Sequence, residues 1–177
     1  MAAPMAAAIG RDRGSDISIG NDSQPGYLGA LLGLGFAATS NASLATTLGL
    51  TFGTRFNRIF GLGFYGSYYG QNASGPYLGL PTGTDTSAFV AMGQGILYME
   101  NFHVGAELGA GVRTWQGVAS SLSNGTSTIT PLFGLTGGYD FRLSRNLSIG
   151  LEGHYLIPLK NTEVDLIQLF ANVKLWL

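Results

Sequence analysis

Apolar and polar residues alternate along most of this chain, most clearly over residues 147–156. There Leu147, Ile149, Leu151, Gly153 and Tyr155 interleave with Ser148, Gly150, Glu152, His154 and Leu156. A period of two predicts a strand with unlike faces. The pattern recurs over 27–38, 44–53, 59–69, 88–99, 103–115, 128–141 and 164–177, so eight strands are expected. Over 103–115, Val104, Ala106, Leu108, Ala110 and Val112 oppose Gly105, Glu107, Gly109, Gly111 and Arg113. Over 128–141, Ile129, Phe133, Leu135, Tyr139 and Phe141 oppose Thr130, Gly134, Thr136, Gly138 and Asp140. Stretch 88–99 leaves its register open: Gln94 marks an inner face, while its apolar residues fit either side.

The connections alternate in length. Those after the first, third, fifth and seventh strands hold roughly 5 to 18 residues, the others roughly 3 to 5, as in outer-membrane barrels with long outer loops and short periplasmic turns. The longest, 70–87, is rich in Gly, Pro, Thr and Asn and is the best candidate for surface contacts. Residues 1–26 carry Arg11, Asp12, Arg13, Asp16 and Asp22 among Gly, Ser and Asn, and read as a solvated arm before a barrel domain at 27–177. Met1–Ala8 resembles the small-residue end of a secretory leader without its charged and apolar regions.

Composition changes which face looks inward. Only 11% of the 177 residues are charged, against about 25% in soluble domains. The 28 glycines follow no collagen period, and the longest apolar run, 27–38, is short of the roughly 20 residues a spanning helix needs. Few charges and many Gly- and aromatic-bearing strands fit a membrane barrel, apolar face to lipid and polar face to a lumen. An open sheet in lipid would strand its edge N–H and C=O groups, so the expected fold is an all-β, antiparallel, up-and-down closed barrel. A net charge of −1 argues against nucleic acid, and the absence of cysteine removes thiol and Cys-zinc chemistry.

Arg-Leu-Ser-Arg-Asn-Leu-Ser-Ile-Gly-Leu-Glu-Gly-His-Tyr (142–155) resembles the turn-plus-strand signature of OmpA-like transmembrane barrels and their OmpX/Ail-type relatives. Phe-Ala-Asn-Val-Lys-Leu-Trp-Leu (170–177) is similar to the terminal strand that outer-membrane assembly machinery reads, departing from it by ending in Leu after Trp. The resemblance implies location in the bacterial outer membrane and contact with membrane lipid and lipopolysaccharide. It also implies recognition by that machinery, and a structural or surface-interaction role or a narrow gated pore. No peptidoglycan-binding segment follows within these residues, so a cell-wall tether is not expected.

The candidate chemistry is the lumen face: Gln94, Glu107, Arg113, Asp140, Glu152, His154, Gln168 and Lys174. An eight-stranded barrel is only wide enough for side chains to fill, so buried ions there must find partners. The expected pairs are Glu107 with Lys174 and Arg113 with Glu152. Ser148 is expected in the lumen near the rim, more tolerant of Arg than lipid-facing Leu151. Tyr27, Phe36, Phe52, Phe56, Tyr68, Tyr98, Tyr139, Phe141, Tyr155 and Trp176 lie near strand ends and are expected in an interfacial girdle.

Two alternatives stand beside this reading. A lipid-A-modifying barrel enzyme of PagP or PagL type would pair His154 and Glu152 with Ser67 or Ser87, but no His-x-Ser motif occurs. A soluble lipocalin-like carrier would turn apolar residues in and polar ones out. His103 falls in the opposite turn region and is expected to stay apart from His154, so no metal set, cofactor or catalytic group is assigned.

Overall fold

The computed structural model describes residues 26–37, 44–71, 84–117, 125–126, 129–159 and 165–177. Among them every regular element is a strand: β1 Gly26–Ala37, β2 Ala45–Arg55, β3 Phe60–Gln71, β4 Thr84–Met99, β5 Phe102–Gly117, the two-residue β6 Gly125–Thr126, β7 Thr130–Arg142, β8 Leu147–Pro158 and β9 Leu166–Trp176. All pair antiparallel in the order β4-β3-β2-β1-β9-β8-β7-β5-β6, and β4 pairs with β5, so the eight long strands close into a barrel. The seam joins the first long strand to the last, from Tyr27↔Trp176 to Ala37↔Leu166. Closure gives the interior strands partners on both sides, which a wall without water at its outer face requires.

One mouth carries the short turns Phe56–Ile59, Glu100–Asn101 and Leu143–Asn146, together with the ends of β1 and β9. Asn57 Oδ1 accepts from Ile59 and Phe60 N–H at 2.8 and 2.7 Å and shapes the first of these turns. Glu100 adopts a φ of 57° in the two-residue β4–β5 turn, a left-handed conformation that favours glycine.

Strands β3 and β4 reach into the expected connection 70–87. Gly70 pairs with Ser87 and Gln71 with Thr86, because the alternating Thr-Asp-Thr-Ser of 84–87 continues the β4–β5 ladder to Thr84↔Gly117. Residues 72–83, and residues 1–25 of the expected arm, lie outside the described residues. Above Gly111↔Thr130, β5 leaves β7 and, among the described residues, pairs with β4 and β6, so the far ends of β4 and β5 extend beyond β7 at the long-connection mouth.

The faces settle the direction of the wall. Leu28, Leu32, Leu50, Phe52, Leu62, Phe89, Leu108 and Leu175 are exposed, and Leu151 is 65% exposed. Glu107, at 1%, is buried with Asp140, Glu152, His154 and Lys174. In water this would be an inside-out core; in lipid it is the expected order. The lipocalin-like alternative, which needs the reverse, is overturned. Strand β4 resolves with Val90, Met92, Gln94, Ile96 and Tyr98 inward.

Candidate functional site

The lumen is filled in three storeys. Beside the short turns sits a cap of Tyr27, Arg55, Tyr98, Ser148 and Trp176, all buried, with half-buried Arg142. The Arg55 guanidinium lies 3.6 Å from the Tyr98 ring centre and 5.0 Å from that of Trp176, and Arg142 lies 4.5 Å from the Trp176 ring. Trp176 Nε1–H donates to Ser148 Oγ at 3.0 Å, and its ring meets Tyr27 at 5.3 Å. Tyr27, Tyr98 and Trp176 therefore leave the expected girdle. Each shares parity with an inward residue of its own strand: Gly29, Gln94 and Lys174 respectively. Ser148 does face the lumen near the rim, beneath the Trp176 indole.

The middle storey is ionic. Lys174 Nζ lies 3.1 Å from Asp140 Oδ2 and 3.0 Å from Glu152 Oε2. Glu152 Oε1 lies 3.2 Å from His154 Nε2, and Asn172 donates to Glu152 Oε2 at 3.2 Å. Glu107 Oε1 accepts from Gln94 Nε2 at 2.6 Å and from His154 Nδ1 at 2.9 Å. His103 adjoins the same group, 3.6 Å from Asp140 and 3.8 Å from Glu152. One ammonium and two imidazoles thus stand among three carboxylates in one chain of contacts.

The expected Glu107–Lys174 pairing changes, while the expected Arg113–Glu152 pairing falls outside the described residues. Lys174 takes Asp140 and Glu152, and Glu107 takes His154 and Gln94. Arg113 stands in β5 opposite Ala88, and its side chain lies outside the described residues. The expectation that the two histidines stay apart is also overturned, since Glu152 lies between them. They come from β5 and β8, which are not hydrogen-bonded neighbours, so the contact forms across the lumen.

Glycine makes room for these large groups. A Cβ at Gly134 would sit 2.7 Å from Glu107 Oε2, and one at Gly138 would sit 2.6 Å from the His103 ring. Small residues beside large ones let a narrow barrel hold long charged side chains without widening.

The upper storey is apolar. Leu31, Tyr65, Val90, Met92, Leu132, Leu156 and Phe170 form one buried cluster, with Ala45 and Tyr69 beyond it. Tyr65 joins the two storeys: its ring stacks on His154 at 4.1 Å, and its hydroxyl donates to Gln168 Oε1. Gln168 Nε2 in turn donates to Ser67 Oγ at 3.3 Å. Phe170 meets Tyr65 and His154 edge-on at 6.0 and 5.5 Å.

This arrangement suits holding more than reacting. Ser67 is engaged by Tyr65 and Gln168, and Ser87 lies 3.0 Å from the Tyr68 hydroxyl on the outward face; neither is a partner of His154. Among the described residues no group of three or more His, Asp or Glu is set to hold a metal ion.

An eight-stranded antiparallel barrel with a lipid-compatible wall and a packed polar lumen is the fold of the OmpA/OmpX/Ail-type outer-membrane barrels. The chain is similar to neisserial surface protein A, with a TM-score of 0.64 and 16% identity over 85% of this chain and 96% of that one. It is similar to Ail of Yersinia pestis, at 0.61 and 10% over 88% and 99%. The N-terminal barrel domain of Pseudomonas aeruginosa OprF gives 0.57 and 10% over 87% and 98%. No protein-family model and no curated sequence matches the chain, and at these identities the likeness is one of fold.

Proposed function

We propose that this protein is a non-enzymatic barrel of the bacterial outer membrane. It acts as a sealed, membrane-fixed scaffold with its short turns toward the periplasm and its long connections outside. The observation that supports this most is the filled lumen. From the Trp176 cap, through the Lys174–Glu152–His154–Glu107 chain, to the Leu156–Phe170 cluster, each level is occupied by side chains bound to one another. A steady pore would have to break a buried ion network and an apolar lock together.

The outward role falls to the connections and the projecting far ends of β4 and β5. Ail of Yersinia pestis is known in complex with a heparin analogue, sucrose octasulfate. Capture of a polyanion is less well supported here, because 38–44, 72–83 and 118–129 contain no charged residue and 160–165 sets one base, Lys160, against Glu163 and Asp165. Their Ser, Thr, Asn and Gly suit neutral hydrogen-bonding partners, with lipopolysaccharide and phospholipid around the wall. The test is planar-bilayer recording of the purified, folded barrel. The expected result is no steady channel above the bare bilayer; reproducible long-lived steps from wild type would overturn the sealed reading.

A further inference from the structure

Neither guanidinium of the cap makes an ion pair with a carboxylate among the described residues. All three buried acids of the described lumen are engaged elsewhere: Asp140 and Glu152 with Lys174, Glu107 with His154. Arg55 is only 9% exposed, yet it makes no ion pair among the described residues, and its Nε has no acceptor. Arg142, the more accessible arm, leaves Nη2 likewise without one. Both rest on Trp176, close enough to feel each other's like charge, and Asp140 is only a partial counter-charge for Arg142. Stacking on Trp and Tyr orients a guanidinium but does not satisfy its in-plane N–H groups. A buried cation with a free donor, as Arg55 is, calls for an anion.

The surroundings add to this. Arg58 and Arg145 lie in the adjoining turns, so four arginines gather at this mouth, against Glu100 as the one acid of its three turns. Two guanidinium forks held by one indole at a basic rim suit an oxyanion with several acceptors, which favours phosphate over a single carboxylate. We propose that the short-turn mouth binds a phosphate group, with Arg55 and Arg142 as the donor arms and Trp176 as the plate that holds them. The phosphate comes either from a lipid headgroup or from the free ion.

The chain has two tryptophans, so Trp115→Phe leaves Trp176 as the sole emitter at the site. The full-length barrel in maltoside detergent is titrated with inorganic phosphate, with dihexanoyl phosphatidylglycerol, and with chloride at matched ionic strength. Expected is a saturable change in Trp176 emission with a phosphate-bearing probe and none with chloride. Arg142→Gln should raise the Kd at least tenfold, and Arg142→Lys, which keeps charge but loses the fork, should fall between. A response to the lipid alone assigns the headgroup, and a response to inorganic phosphate alone assigns the free ion. No saturation with either probe, an equal response to chloride, or an unchanged Kd in Arg142→Gln overturns the site. If Arg142→Gln fails to fold, the wild-type titration against chloride still decides.

Discussion

The two larger storeys of the lumen fill the same cylinder by opposite means. Around Lys174 the space is held by ions, each meeting two or more partners on different strands. Around Leu156 it is held by close-packed apolar side chains with one polar bridge, Tyr65 to Gln168. The ionic storey depends on completeness, since removing one partner leaves a charge with neither water nor a counter-ion. The apolar storey depends on volume, and an error there leaves a void whose cost grows with its size.

The largest expected effect breaks the ionic side. Lys174→Met leaves Asp140 and Glu152 facing each other and should cost about 3–5 kcal/mol, read by urea unfolding in vesicles with the heat-modifiable gel shift. Adding Asp140→Asn should recover part of the loss, whereas Glu107→Gln should add to it, because Glu107 is bonded to His154 and Gln94 instead. Recovery by Glu107→Gln would restore the pairing that the sequence alone pointed to.

Leu156→Ala probes the apolar side and should cost about 2–5 kcal/mol through the cavity it opens, with no sensitivity to salt. A salt-dependent loss would mean that the two storeys are not separate. The wall they share is tested by Leu151→Arg, expected to cost about 2–4 kcal/mol near the bilayer midplane. Parallel measurement in a thinner bilayer, where the residue lies nearer headgroups, should reduce that cost.

Smaller effects sharpen the boundary. Gly134→Ala pushes a methyl into Glu107 and Leu156 at once, one from each storey, and should cost about 1–3 kcal/mol. A neutral result would show slack where both fillings meet. Glu100→Gly, far from either, should stabilise by about 0.5–1 kcal/mol by relieving the left-handed backbone; an unchanged unfolding midpoint would mean that the strain is offset elsewhere.

Much of the wall was legible because alternation carries its own parity. The inward set from Gln168 to Lys174 follows once Leu175 and Val173 are placed in lipid. The same rule also held the positions of Tyr27, Tyr98 and Trp176, but aromatic residues near strand ends drew the eye to a girdle. Parity decides against residue type there: Trp176 is two residues beyond Lys174, so both point the same way. Cross-lumen partners were not legible. Which level of β5 meets which level of β8 depends on stagger around the closed sheet, and alternation along single strands is blind to it. Hence Glu107 and Lys174 were named as lumen ions while their pairing with each other was misassigned.

The seam between β1 and β9 has a consequence for the order of events in folding. Tyr27 and Trp176 meet across nearly the whole described sequence, whereas the β4–β5 hairpin joins residues on either side of a two-residue turn. Loop-closure entropy and contact order make the hairpins early and the seam late and slow. Until it closes, β1 and β9 each present a bare edge that another chain could pair with. Completion is therefore the step most exposed to aggregation, and a catalyst that shelters those two edges would change the yield of folded barrel more than its final stability.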